Sequence, residues 1–237
     1  MPRRRFTLGL GAAAALVLTA CSSSGQPSPS PSATHSPAET TPSATPLPPD
    51  SLTVSVVATG VGTFDLAAIP VALLKNNATF HGAASVVVHF LTHRSGRALG
   101  SLETVPINLA PGQTLAVTAD CTDACDGATS VTATVSVASW PTSIGAVFPT
   151  TGATYTCGPC HAGHGYGNVH GTLTPSSTIG SGSAVVGFAV CHNAAGAILG
   201  GGSEQFVWPG GASLAVDVPV VVNSTPATCS LGASTGW

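Results

Sequence analysis

The chain contains 237 residues, of which only 6% are charged, and it has a formal net charge of −3. Three of its six basic residues lie together at positions 3–5, so the rest of the chain is more acidic still. This balance argues against nucleic-acid binding, which needs clustered Lys and Arg to face phosphates.

Residues 1–20 have the order of an export signal: three arginines, an apolar stretch over 6–18, and small residues before Cys21. The apolar stretch is shorter than the roughly 20 residues needed to cross a bilayer. Its end, Leu18-Thr19-Ala20-Cys21, resembles the lipobox of bacterial lipoprotein precursors. The resemblance implies that a lipid on Cys21 anchors the protein outside the cytoplasm, on the cell membrane. An ordinary secretory signal is the alternative.

Residues 21–50 consist almost entirely of Ser, Pro, Thr, Ala and Gly. Such a segment buries too little apolar surface to offset its chain entropy, and its prolines favour extended backbone. We therefore expect a disordered, semi-rigid linker here, either a stalk that raises the following domains or a spacer without that role.

An internal repeat divides the remainder of the chain. Residues 85–100 read SVVVHFLTHRSGRALG, and residues 183–200 read SAVVGFAVCHNAAGAILG. Each copy continues to a Pro-Gly pair, Pro111-Gly112 or Pro209-Gly210, and then to another apolar run. The repeat predicts two domains, over 51–140 and 141–237.

Both copies are predicted to be all-β. Short runs of Val, Thr and small residues alternate with Gly, Pro, Asn and Asp, and no long helical periodicity follows the signal segment. Six or seven short strands in roughly 100 residues favour a β-sandwich.

The order of an aromatic strand residue, a hairpin glycine and a Pro-Gly turn resembles the FxLYD-type and related immunoglobulin-like repeats of bacterial surface lipoproteins. Phe90 or Phe188 and then Gly96 or Gly196 carry this resemblance, together with the Pro-Gly pairs. The Tyr-Asp that usually precedes the hairpin is replaced by Thr-His in one copy and His-Asn in the other. The resemblance implies two tandem immunoglobulin-like β-sandwich domains at the cell surface and supplies no catalytic residues.

Six cysteines follow Cys21, and an even number in an oxidising compartment favours disulfides. Proximity favours a bridge within the Cys-Thr-Asp-Ala-Cys turn and another between two strands of the second domain. A short bridge in the glycine-rich segment after residue 156 is also expected, although its cysteines can pair with the last two instead. The candidates in chain order are Cys121, Cys125, Cys157, Cys160, Cys191 and Cys229.

The segment Cys157-Gly158-Pro159-Cys160-His161 also matches two functional patterns. A redox dithiol requires its first cysteine at a helix N-terminus, which the alternating glycines that follow oppose. A c-type haem would use His161 as one ligand and another histidine as the second. A Zn or Cu site is a further alternative. Its candidate ligands are Cys157, Cys160, His161, His164 and His170.

Other polar clusters give weaker signals. His89 and His93 lie four residues apart, which on a strand is roughly 13 Å and too far for one metal. Asp120, Asp123 and Asp126 surround a turn but lack the spacing of a known Ca²⁺ loop. No Gly-x-Ser-x-Gly nucleophile motif occurs in the sequence.

The sequence therefore predicts a membrane-anchored extracytoplasmic lipoprotein, not an enzyme, with a role in binding or envelope organisation. Its expected partners are the membrane, through the lipid on Cys21, and an unidentified cell-envelope or extracellular molecule. No cofactor is expected in this interpretation. The alternative function is that of a haem, metal or redox protein that uses the loop with Cys157, Cys160 and His161.

Overall fold

The computed structural model describes most of the chain from residue 49 onward. The predicted signal segment, Cys21 and the predicted stalk up to residue 48 lie outside the described residues. Among the described residues there is no α-helix, and none of them forms a helix suited to crossing a membrane. The described backbone ranges are 49–65, 67–121, 125–161 and 164–235, and the side chains at 159–164 are not described.

The first half of the fold contains two sheets. Its strands are β1 (Val54–Phe64), β2 (Ala67–Asn76), β3 (Ala83–Arg94), β4 (Arg97–Glu103), β5 (Ile107–Leu109), β6 (Thr114–Thr118) and β7 (Ser130–Ser139). One sheet has the order β1-β2-β6, and in the other β3 pairs with β4 and β5 on one side and with β7 on the other. Alternate residues of β3, such as Val86, Val88 and Phe90, are buried between the sheets because successive side chains of a strand point to opposite faces.

The second half closes into a six-stranded barrel. Its strands are β8 (Val147–His161), β9 (His164–Leu173), β10 (Ala184–His192), β11 (Ile198–Val207), β12 (Leu214–Val222) and β13 (Thr228–Ser234). Around the barrel they have the order β10-β11-β12-β9-β8-β13. The interior is filled by aromatic and aliphatic side chains, among them Trp208, Phe148 and Leu231, all fully buried. The rings of Phe148 and Trp208 meet edge to face at 5.8 Å, an arrangement that aromatic pairs favour.

The two halves share one order of strand pairing. The order β1-β2-β6 in the first half corresponds to β8-β9-β12 in the second, and β4-β3-β7 corresponds to β11-β10-β13. The repeated glycines occupy equivalent turns, where Gly96 and Gly196 have φ of 79° and 82°. Two further pairings, β8 with β13 and β11 with β12, close the second half into the barrel.

The halves are packed against each other through apolar and polar contacts. Val190 of the barrel packs with Val71 and Ala116 of the first half. The Asn223 amide group donates to the carbonyl oxygen of Val61 and accepts the backbone N–H of Thr63. The described residues consequently belong to one compact unit. The prediction of an all-β fold is confirmed.

Candidate ligand-binding cleft

Two disulfides join described cysteines. Cys121 and Cys125 are bridged across a short turn, with their Cα atoms 5.8 Å apart. Cys191 of β10 and Cys229 of β13 lie directly opposite each other and are also bridged. Cys157 is disulfide-bonded as well, whereas the side chain of Cys160 lies outside the described residues.

The proposed metal ligands are not brought together in the described part of the chain. The strand register places His170 opposite Thr154, three residues along β8 from Cys157, which is about 10 Å. A disulfide sulfur also lacks the thiolate that binds metals. No three described His, Cys, Asp or Glu residues are placed to hold a metal ion, and the side chains of His161 and His164 lie outside that set.

His170 instead takes part in a polar row across three strands. Its Nδ1 atom lies 3.2 Å from Oδ1 of Asp217, and its Nε2 atom lies 2.5 Å from the hydroxyl of Thr156. The first half has a similar row, in which His89 lies between Glu103, at 2.9 Å, and Ser136, at 3.2 Å. Both rows have the order of groups found in acyl-transfer sites, namely hydroxyl, imidazole and carboxylate.

The surroundings of these rows favour a structural role. Ser136 lies in the middle of regular strand β7 on an exposed face, not on the sharp turn that presents a nucleophilic serine beside free N–H groups. His93 also lies 3.3 Å from the hydroxyl of Thr132, so contacts between histidines and hydroxyls recur across neighbouring strands. Such cross-strand pairs stabilise a sheet.

A cleft of about 460 Å³ lies between the two halves. The ends of β4 and β6 and the residues that follow them form one wall, and β10 and β11 of the barrel form the other. The polar lining residues are Glu103, Thr104, Thr118, Asp120, Ser203, Glu204 and Gln205.

Two carboxylates in this cleft have no hydrogen-bond or ion-pair partner among the described residues. Asp120 stands on the wall from the first half, and Glu204 on the wall from the barrel. The third carboxylate, that of Glu103, is paired with His89. No Lys or Arg of the described chain lines the cleft, so its negative charge has no compensating basic side chain there.

Thr118 provides an independent signal in the same cleft. The residue is only 4% exposed, and its hydroxyl oxygen has no hydrogen-bond partner. Because strand residues alternate, Thr118 lies on the same face of β6 as Ala116, which packs against Val190 of the barrel. Its side chain is therefore directed toward the junction that contains the cleft. An unpartnered buried hydroxyl costs about 1–3 kcal/mol, which a polar ligand atom can offset.

Sequence reasoning missed this cleft. In the sequence, Asp120 groups only with its neighbours in the turn, and Thr118 is indistinguishable from a core residue within a strand. The sequence contains one signal of this cleft. Two of the three glutamates in the chain, Glu103 and Glu204, follow the repeated hairpin at similar distances. No family model, curated protein or solved structure matches this chain.

Proposed function

We propose that this chain is an extracytoplasmic bacterial lipoprotein with a role in binding or envelope organisation rather than catalysis. A lipid on Cys21 would anchor it to the cell membrane, and residues 21–50 would separate the folded body from that membrane. The order of cationic start, short apolar stretch and lipobox-like cysteine supports the anchor.

The cleft between the halves is the observation that carries the binding role. It combines the buried hydroxyl of Thr118 with the exposed carboxylates of Asp120 and Glu204, and none of the three has a hydrogen-bond or ion-pair partner among the described residues. Buried polar groups are normally hydrogen-bonded, so an exception beside a cleft indicates that a bound molecule supplies the missing contact. Ligand sites also occur preferentially where two structural units meet.

The finer architecture forms part of this proposal. Two tandem immunoglobulin-like sandwiches, over 51–140 and 141–237, are supported by the strand pairs of the described residues, none of which joins one range to the other. The closure of the second unit into a barrel then represents a departure from an open sandwich, produced by the pairing of β8 with β13 and of β11 with β12.

Metabolic labelling tests the anchor. The full chain is produced in a bacterium supplied with an alkyne-bearing palmitate, and labelling of the protein is compared with that of Cys21→Ser and of the control Ser22→Ala. The proposal predicts label and membrane fractionation for the parent chain and for Ser22→Ala, with both lost in Cys21→Ser. An unlabelled parent chain released into the medium would contradict the anchor.

A blocked-cleft variant tests the binding role. Gln205 is exposed and lines the cleft, so Gln205→Trp fills the space without replacing a core residue. Thr134→Trp places the same ring on an exposed face of β7 and serves as the control. A panel of small polar molecules is screened by ligand-observed NMR. Molecules that bind the parent chain and Thr134→Trp, but not Gln205→Trp, support the proposal. If Gln205→Trp weakens the binding of no molecule in the panel, the proposed binding role is wrong.

The alternative function at Cys157, Cys160 and His161 stays a prediction. It requires free thiols, whereas Cys157 is disulfide-bonded. Visible absorption and elemental analysis of the exported protein decide it: a haem band or stoichiometric Zn or Cu would favour the alternative. Colourless, metal-free protein with blocked thiols would eliminate it.

A further inference from the structure

The electrostatics of the cleft favour a positively charged occupant. Each of its walls carries one exposed carboxylate that has no partner in the described part of the chain, Asp120 on one and Glu204 on the other. The basic residues in the described part of the chain are Lys75, Arg94 and Arg97, and none of them lines the cleft. Like charges on facing walls repel each other, and a cation between them removes that repulsion.

The arrangement of these groups favours an organic cation over a metal ion. Ca²⁺ requires six to eight oxygen ligands close together, and the described carboxylates do not converge in that way. An ammonium group needs fewer contacts, because it can donate up to three hydrogen bonds to separate acceptors while the remainder face water.

Thr118 adds a polar side chain to the lining of the same cleft. It is buried and directed toward the junction, and its oxygen has no hydrogen-bond partner. This oxygen has almost no solvent-accessible surface, so an N–H donor of a ligand would reach it only after the Thr118 side chain rotates. The cleft volume of about 460 Å³ accommodates a small molecule that reaches both walls.

We propose that this cleft binds a small aliphatic diamine or polyamine, with one ammonium group near Asp120 and another near Glu204. The inference rests on the proposed function, since it names the ligand class of the same cleft. Opposite placement of the two carboxylates selects molecules with a cation at each end, because a monoamine can neutralise only one wall.

Calorimetric titration of the purified full chain in a non-ionic detergent tests this inference. The probes are α,ω-diamines from 1,3-diaminopropane to 1,6-diaminohexane, with 1,4-butanediol and butylamine as matched neutral and singly charged molecules. Diamines should bind, with one chain length preferred, and the diol should not. Affinity should fall as salt is raised, since salt screens exposed charge pairs.

Three variants and one control locate the contacts. Asp120→Asn and Glu204→Gln should each weaken diamine binding by up to about fivefold, the upper end of the range for exposed ion pairs. Thr118→Val removes the hydroxyl and should weaken binding without changing the salt dependence. Asp217→Asn removes one negative charge on β12 outside the cleft and should leave affinity unchanged.

The outcomes separate this inference from the proposed function. If uncharged probes bind in a manner that Gln205→Trp blocks, while diamines do not bind, the cleft is a ligand site but the ligand class is wrong. If diamines bind Glu204→Gln as tightly as the parent chain, the assigned contacts are wrong. They are also wrong if Asp217→Asn weakens diamine binding as much as the cleft variants do. If no probe of any charge is sensitive to Gln205→Trp, the inference and the proposed binding role both fail.

Discussion

Gly62 of β1 and Gly200 of β11 pack back to back, so that a Cβ atom built on either residue would lie 2.9 Å from the Cα atom of the other. Both residues also pack against the backbone of Val221 in β12. The two halves of the fold therefore meet at this point through main-chain atoms, with no space for side chains. This contact holds β11 against the first half of the fold. Residues 203–205 of β11 form part of one wall of the cleft.

Substitution of these glycines should destabilise the fold. A Cβ atom at Gly62 would lie 2.0 Å from the carbonyl oxygen of Val221, and one at Gly200 would lie 1.9 Å from it. Gly200 also has a φ of 153°, which disfavours any side chain. We expect Gly62→Ala and Gly200→Ala each to lower the free energy of unfolding by about 2–3 kcal/mol, measured by urea denaturation.

Gly152 provides the control, since a Cβ atom there would meet nothing within 4 Å. Gly152→Ala should change the free energy of unfolding by no more than about 0.5 kcal/mol. Equal stability of Gly62→Ala and Gly152→Ala would contradict the close approach of the two halves.

The two disulfides should contribute unequally to stability. The bridge between Cys191 and Cys229 closes a loop with a sequence separation of 38, whereas that between Cys121 and Cys125 has a separation of 4. The chain-entropy model gives about 4 kcal/mol for the first bridge and about 2 kcal/mol for the second. Replacing each pair by alanines and measuring thermal unfolding tests this order; a larger loss from the short bridge would contradict it.

Asp50, at the end of the predicted stalk, should stabilise the folded body in a pH-dependent way. Its carboxylate accepts the backbone N–H of Phe80 and lies 2.6 Å from Nδ1 of His81. Burial opposes its ionisation, but the hydrogen bond with His81 and those with backbone amides outweigh this effect and lower the pKa of Asp50. Asp50 therefore contributes fully to the free energy of unfolding above the pKa that it has in the unfolded chain, near 3.8. This contribution is lost as the pH falls through the lower pKa that Asp50 has in the folded chain.

Denaturation of the parent chain and of Asp50→Asn between pH 7 and pH 2 measures this contribution. Asp50→Asn should be less stable at pH 7, and the difference should shrink only below about pH 4. Asp65→Asn is the control because Asp65 is exposed and asparagine tolerates its positive φ of 55°. A difference that stays constant down to pH 2 would show that the carboxylate charge does not matter.

His192, beside the long disulfide, should make the fold sensitive to mild acid. Burial lowers the pKa of His192 below the usual histidine value of 6.5. The unfolded chain then takes up a proton at higher pH than the folded chain, so stability should fall as pH decreases from about 6.5 toward the folded pKa. The loss of unfolding free energy between pH 7.5 and pH 5.5 should be smaller in His192→Gln. An NMR titration of His192 at or above 6.5 would refute this explanation.

Local features of the fold were predictable from the sequence, whereas the cleft was not. The hairpin glycines Gly96 and Gly196 and the alternation of Val and Thr are set by backbone conformation and strand period, which act over a few residues. Asp120 and Glu204 lie in different halves, and periodicity does not reveal which faces of two units will meet. Thr118 follows a run of apolar residues and acquires significance only because its hydroxyl lacks a partner in the packed structure.

Mapping the site of diamine binding by NMR tests the central claim that the cleft is the ligand site. Amide chemical shifts of the Cys21→Ser chain, which lacks the predicted lipid, are followed as 1,4-diaminobutane is added. The largest changes should occur at residues 118–120 and 203–205, which lie on opposite walls of the cleft. Changes centred on Cys157 and His170, or no saturable change at either wall, would contradict it.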